Sequence, residues 1–148
     1  MDVPENQLAA DVLHKFLLVY RHLRQYHRQM DSESVRPRHA AVLRFLIAQG
    51  PATVGDVQAH LYTSASTASA IISQLEEAGQ VTRARSPDDN RVVIVTITDA
   101  GRDIVARTPL GGIGLLRQRL DDLPAEQLQQ MDEALAEIMH LMEVPCDR

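Results

Sequence analysis

Arginine side chains cluster around one short turn of the sequence, where they could bind phosphate groups. Arg83 and Arg85 precede a turn at residues 87–90, and Arg91 follows it. A guanidinium group can bind a phosphate bidentately, and Asp89 could orient that of Arg91 through a bidentate pair. At the tip of a β-ribbon, Arg91 could then reach a DNA phosphate or a narrow minor groove. The alternative is an exposed ion pair on a solvated turn, worth less than about 1 kcal/mol.

Hydroxyl and amide side chains recur just upstream, on a helix that the sequence predicts after Ser64. Ala68, Ile71, Ile72 and Leu75 follow helical spacing and should pack inward, while Ser64 can cap the helix. The outward face could bond phosphates or base edges, and a glutamine there could read adenine. The candidate DNA-contacting residues on this helix are Ser64, Ser66, Thr67, Ser69, Ala70, Ser73 and Gln74.

Local signals predict the elements that position these side chains. Thr53 and Asp56 form a capping-box-like pair at the start of a short helix, and Gly79 suits the end of the next one. Stretches rich in β-branched residues, 81–85 and 92–98, flank the turn and predict two strands. The order helix, turn, helix, β-ribbon is that of a winged helix-turn-helix, which presents one helix to the major groove of DNA.

The rest of the chain reads as helix, so the fold class is mainly α with a small β-wing. An amphipathic helix covers about 7–30, and a helix beginning at Pro37 packs behind the helix-turn-helix. Pro109 and several glycines interrupt the helical pattern, and the last helix, 125–142, carries an apolar seam of heptad type. A partner helix in a second subunit suits that seam better than burial within one subunit. We expect an N-terminal dimerisation helix (1–34), a winged helix-turn-helix domain (35–102) and C-terminal dimerisation helices (103–148).

The composition fits a globular chain whose charge is unevenly distributed. Its 148 residues carry a formal net charge of −5, yet eight acidic residues and one basic residue lie from Asp121 onward. A basic face at the wing is therefore compatible with the acidic total. The sequence shows no apolar run of membrane-spanning length and no signal-peptide pattern, so we expect a cytoplasmic protein without a membrane partner. The single cysteine, Cys146, cannot form an internal disulfide, and an incidental thiol is favoured over a redox role.

Three runs of sequence resemble the MarR family of bacterial winged-helix repressors. They are LEEAGQVTR at 75–83, SPDDNR at 86–91 with an Asp-x-Arg element at Asp89 and Arg91, and ITDAGR at 97–102. The resemblance extends from about Leu8 to Met142. It implies a homodimer on double-stranded DNA, each subunit placing its recognition helix in one half of a pseudo-palindromic operator. It also implies that a small aromatic or amphiphilic ligand releases the protein from DNA.

The recognition helix departs from the family pattern, because it holds no lysine or arginine. Ala70 and Gln74 stand where arginine is common in the family. Without arginine the strong guanine contact is missing, so we expect more reliance on the wing and on DNA shape, and an AT-rich site. Arg38, near the start of the second helix, is a further candidate for a phosphate contact. A ligand pocket is expected where the dimerisation helices meet the winged helix, with the candidate lining residues Phe16, Tyr20, His39, Leu43 and Leu110.

No catalytic or cofactor motif supports an enzyme. The six histidines lack an i, i+4 pair and a companion cysteine, so packing or surface roles are favoured over a metal site built from His27, His39 and Asp31. We expect no cofactor. Two other functions stay open: a winged-helix protein-interaction module, favoured by the arginine-free helix, and a ligand-binding or enzymatic protein, which turnover without DNA would support.

Overall fold

The computed structural model describes residues 5–30 and 35–145, which divide into two compact units at Leu110/Gly111. Cys146 and Asp31 lie outside the described residues, as does the side chain of His27, so the roles considered for them are not addressed by the structure. The first unit holds five helices and three strands within its described residues. They are α1 (Glu5–Met30), α2 (Pro37–Gln49), β1 (Ala52–Thr53), α3 (Val54–Leu61), α4 (Ala65–Glu77), β2 (Val81–Arg85), β3 (Val93–Ile97) and α5 (Asp99–Arg107). The second unit holds α6 (Gly112–Asp121) and α7 (Ala125–Leu141).

The three strands form one antiparallel sheet in the order β1-β3-β2. Strands β2 and β3 are in register from Val81 opposite Ile97 to Arg85 opposite Val93, and they make the predicted ribbon. The sequence analysis missed β1, whose two residues, Ala52 and Thr53, pair with Val95 and Ile94. The winged helix-turn-helix is therefore present, with a third short strand closing the inner edge of its wing.

The core lies between α2, α3, α4 and the sheet. Leu43, Leu46, Ile72 and Leu75 are among its largest fully buried side chains, and Val95 joins them from β3. The four apolar positions predicted to face inward from the recognition helix are all buried, which confirms its register. Burying such side chains contributes roughly 1.5–3 kcal/mol each, so this cluster fixes the positions of α4 and the wing.

The ends of α5 are tied to the rest of the first unit by polar contacts. Thr98 caps α5 by accepting from the Gly101 amide, and its hydroxyl donates to the Gly79 carbonyl at 2.6 Å. At the other end, the Arg44 guanidinium donates to the Thr108 carbonyl oxygen at 2.9 Å. The helical pattern then breaks between Arg107 and Gly112, close to the proline and glycines that predicted an interruption.

The start of α3 is a capping box whose loss should destabilise the fold. The Asp56 amide donates to Thr53 Oγ1 at 3.1 Å, and the Thr53 amide donates back to Asp56 Oδ2 at 2.9 Å. We expect Thr53→Ala to lower the free energy of unfolding by about 1 kcal/mol, measured by urea denaturation at neutral pH. The control is Thr63→Ala, in the turn before α4; an equal loss there would contradict a specific capping role.

The same contact predicts how this stabilisation depends on pH. The hydrogen bonds from Thr53 lower the pKa of the Asp56 carboxyl, because they favour its ionised form. Its contribution is thus fully present above the ordinary aspartate pKa and is lost as the pH falls through the lowered value. Asp56→Asn should be less stable than wild type at neutral pH, and the difference should shrink in acid.

Candidate nucleic-acid interface

Between Ser66 and Gln74, helix α4 presents small, uncharged side chains to solvent. Because Ala68, Ile71, Ile72 and Leu75 are buried, the centre of the outward face falls on Ser66, Ala70 and Ser73. Thr67 and Gln74 lie on the edge nearer to α2, and Ser69 lies on the other edge. Side chains this small would let the helix backbone approach a DNA groove closely.

The hydroxyl groups at the start of α4 bond to one another. Ser64 Oγ accepts from the Thr67 amide at 3.2 Å and donates to Thr67 Oγ1 at 2.9 Å, and Ser66 Oγ lies 3.1 Å away. Ser64 thus caps the helix as expected, and its own hydroxyl proton is committed to Thr67. The Thr67 hydroxyl, which accepts that bond, keeps its proton for an outside acceptor.

An open groove of about 450 Å³ runs between the start of α2 and the edge of α4. Arg36, Arg38 and His39 line it from α2 and the residue before it, and Ser66, Thr67, Ala70 and Gln74 line it from α4. Arg38 lies exposed in the first turn of α2, where no side chain caps the helix. The positive end of the helix dipole and two guanidinium groups therefore favour an anion on this side of α4.

His39 and Gln74 meet across this groove. His39 Nε2 lies 2.7 Å from Gln74 Oε1, and His39 Nδ1 is buried without a hydrogen-bond partner among the described residues. Burial lowers the pKa of His39, and the nearby Arg36 charge lowers it further, although the Gln74 bond acts in the opposite direction. Gln74, which was predicted to contact DNA, and His39, which was predicted to line a ligand pocket, are thus hydrogen-bonded to each other.

The base of the wing is braced by an ion pair. Arg83 on β2 donates to both carboxylate oxygens of Glu76 on α4, with distances of 3.2 Å from Nε and 2.9 Å from Nη2. The pair lowers the pKa of Glu76, because the guanidinium bonds stabilise its ionised form. Arg83 was predicted to contact DNA, but in the free protein its guanidinium connects the recognition helix to the wing.

At the wing tip, Asp89 orients Arg91 differently from the expected bidentate pair. A single oxygen, Oδ1, accepts from the Arg91 amide at 3.0 Å and from Arg91 Nε at 3.2 Å. Asp89 accepts from the backbone amide of Arg91, two residues later, as aspartates do in turns. The same oxygen also accepts from the Arg91 side chain, so the pair is not bidentate. The Arg91 side chain stays 90% exposed. Arg85 supports the loop by donating to the Asn90 carbonyl at 2.6 Å.

The five residues predicted to line a ligand pocket are not gathered at this groove. Only His39 lines it. Leu43 is fully buried in the core, so a ligand could reach it only if the core opened. Tyr20 is 53% exposed on α1, where Arg24 lies 5.6 Å from the centre of its ring. Phe16 and Leu110 are half-buried.

Two features near the interface escaped the sequence analysis. Tyr62, in the turn before α4, is 91% exposed and has a left-handed backbone with φ 52°. A bulky residue rarely adopts that conformation, and only its place directly after a helix could have suggested it. The second is Glu76. It pairs with Arg83, seven residues later in the chain, and joins α4 to β2, and no sequence motif indicates such a pair.

Within residues 5–30 and 35–145, no three histidine, cysteine or acidic side chains form a group that could hold a metal ion. In the same ranges, no helix is both long and apolar enough to cross a membrane.

Comparison with known proteins accounts for this arrangement. The family model described as "MarR family" matches residues 34–91. The HTH-type transcriptional repressor IacR of Pseudomonas putida is 28% identical over 102 residues, which are 69% of this chain and 61% of IacR. The chain thus spans about six-tenths of that relative's length. An uncharacterized HTH-type transcriptional regulator, YpoP of Bacillus subtilis, is 30% identical over 99 residues, 67% of this chain and 70% of YpoP.

A solved structure shows the same fold. AbsC, a MarR family transcriptional regulator from Streptomyces coelicolor, has a TM-score of 0.67 at 21% identity, covering 98% of this chain and 99% of AbsC. The sequence match and the winged helix-turn-helix fold agree with each other. The chain belongs to the MarR family of helix-turn-helix transcriptional regulators.

Proposed function

We propose that this regulator acts as a homodimeric repressor that binds a pseudo-palindromic operator with α4 in the major groove and Arg91 at the flanking backbone or minor groove. The observation that carries the proposal is the wing tip. Arg91 is 90% exposed, and Asp89 holds its Nε, so its two terminal nitrogens are presented to solvent. A charged side chain fixed in direction at the end of a ribbon is suited to binding a phosphate.

The charge distribution supports DNA binding by the first unit. Residues 35–110 hold eight arginines and seven acidic residues, whereas residues 111–148 hold three arginines and eight acidic residues. Glu76 neutralises Arg83, but Arg38 and Arg91 flank α4 from the groove side and the wing side. The first unit therefore offers cations on both sides of a polar helix, as expected for phosphate contacts on both sides of a groove.

Exposed apolar faces support a homodimer. On α1, Leu8, Val12, Leu13, Leu17 and Val19 are each more than half exposed, and Leu135 on α7 and Met142 directly after it are 57% and 58% exposed. Contiguous apolar surface of this kind is unusual on a monomer and marks an interaction site. A two-fold dimer would cover such faces and place two copies of α4 on one DNA duplex.

Repression and release by a ligand are the finer parts of the proposal. IacR is named a transcriptional repressor. BpsR of Bordetella bronchiseptica, 21% identical with a TM-score of 0.59, has its DNA binding regulated by 6-hydroxynicotinic acid. A small aromatic effector of this kind is the class to screen first, with loss of operator binding as the readout.

A salt titration with an Arg91→Ala variant tests the DNA contact. If Arg91 binds one phosphate, the variant should bind operator DNA more weakly, and the slope of log K against log salt should become shallower by about 0.9. The measurement is fluorescence anisotropy on DNA from upstream of the protein's own gene, at several salt concentrations.

Arg83→Ala serves as the matched control, because it removes the same charge from the same ribbon. Glu76 already neutralises Arg83 in the free protein, so Arg83→Ala should change the salt slope less than Arg91→Ala does. Equal slopes for wild type and Arg91→Ala would remove the wing tip from the interface. If wild type binds no DNA at low salt, the protein-interaction module becomes the better proposal, since the arginine-free α4 would suit a protein partner.

A further inference from the structure

The hydrogen-bonded pair of His39 and Gln74 bears on how α4 could recognise bases. The helix has no arginine, so the family resemblance does not explain which of its side chains would do so. His39 lies in the first turn of α2, and Gln74 lies on the edge of the outward face of α4. The 2.7 Å bond between them is made inside the groove that faces the proposed DNA. Any base contact by Gln74 must therefore be made while its Oε1 is hydrogen-bonded to His39.

The surroundings of His39 determine which ring nitrogen carries its proton. Nδ1 is buried and has no partner among the described residues. A buried N–H without an acceptor is costly, whereas an unpaired lone pair is tolerated more often. Burial and the Arg36 charge also favour the neutral ring. The proton of the neutral imidazole is therefore on Nε2, and Nε2–H donates to Gln74 Oε1.

This bond decides which end of the Gln74 carboxamide is offered to DNA. The oxygen and nitrogen diverge from one carbon, so an oxygen directed at α2 turns the nitrogen away from α2 and towards the outward face. The –NH₂ group can only donate. Reading adenine needs the oxygen and the nitrogen together on the base edge, whereas guanine presents two neighbouring acceptors, N7 and O6.

We propose that His39 is a positioning residue for base recognition, which holds Gln74 as a hydrogen-bond donor so that it reads guanine above adenine. The inference rests on the proposed binding of α4 in the major groove. It replaces the expectation that Gln74 reads adenine, because that expectation considered the side chain without its partner. His39 itself contacts no base and acts through Gln74.

Base preference measured with a randomised operator library tests the inference. Wild type should enrich guanine at one position in each half-site, and Gln74→Ala should lose that preference. His39→Leu, which removes the donor and puts an apolar side chain of similar size in its place, should shift the same position towards adenine by roughly fivefold or more. His39→Gln retains an N–H donor and should restore guanine.

A second variant and a measurement without DNA keep the test decisive. Gln74→Glu, at an exposed site, offers only acceptors and should abolish the guanine preference while still accepting from His39. Nitrogen-15 NMR of the free protein should show the His39 proton on Nε2. The inference is overturned by a proton on Nδ1, by adenine preference in wild type, or by an unchanged preference in His39→Leu.

These outcomes separate this inference from the proposed function. Sequence-specific binding with no effect of His39 variants overturns the role of His39 alone. If wild type enriches no sequence while the Nε2–H form is present, the proposed operator binding fails, and the role in base recognition fails with it.

Discussion

Replacing Gly101 by alanine should lower the free energy of unfolding by about 3 kcal/mol, as expected for forced overpacking of a core contact. Gly101 is buried at the start of α5, and a Cβ there would clash with the Gln80 carbonyl oxygen and lie 2.8 Å from Ile97 Cγ1. The oxygen cannot move freely, because it accepts the Thr98 amide at 3.0 Å. Urea denaturation followed by circular dichroism measures the loss.

Gly55→Ala is the matched control for this substitution. Gly55 is also in the first turn of a helix, but its added Cβ would meet only Thr53 Oγ1 at an ordinary 3.7 Å. Alanine favours helix over glycine, so this variant should be as stable as wild type or more stable by up to about 1 kcal/mol. If the two variants lost stability equally, the close approach of α5 to Gln80 would not be the reason for a glycine at position 101.

Local signals were sufficient to predict most elements of the winged helix-turn-helix. Thr53 and Asp56 form the reciprocal capping bonds that their spacing predicted, and Ser64 caps α4. Gly79 has φ 73°, the conformation for which a glycine after a helix was expected. Each of these signals acts within a few residues of its own position, so the sequence carries it directly.

The missed strand had no such local signal. Strand β1 has only two residues, and it exists because Ala52 and Thr53 lie beside Val95 and Ile94 of β3. That neighbour is set by the packing of α2 and α3 on the sheet, which sequence periodicity does not show. Gly101 is a similar case. The run ITDAGR at 97–102 places a glycine there, but only the close approach of the Gln80 carbonyl oxygen explains why a larger residue does not fit.

The candidate site was predictable as a surface but not as a set of side-chain contacts. The wing arginines and the polar face of α4 were found from residue type and spacing. Their partners were not, because His39 and Gln74 are 35 residues apart and Arg83 bonds Glu76 on another element. Such partners depend on how packed elements face each other, and they change which groups remain available for the proposed contacts with DNA.

Replacing Leu13 by glutamate should convert the proposed homodimer into a monomer. Leu13 is 58% exposed on α1, so the variant protomer should still fold. Burying a leucine contributes about 2 kcal/mol, and a two-fold interface counts each substitution twice. The expected loss of about 4 kcal/mol weakens the dimer roughly 1,000-fold, before the cost of burying a charge. Analytical ultracentrifugation across a range of protein concentrations measures the change.

The control introduces the same residue on the opposite side of α1. Gln25 is exposed and lies opposite the centre of the face formed by the exposed apolar residues of α1, so Gln25→Glu should leave the dimer intact. Because two linked half-site contacts bind far more tightly than one, Leu13→Glu should also lose operator affinity, by 100-fold or more on the order of magnitude typical of bivalent binding. A Leu13→Glu protein that remained dimeric would exclude this face of α1 from the interface. A monomeric variant with undiminished affinity would instead show that one winged helix is enough for operator binding.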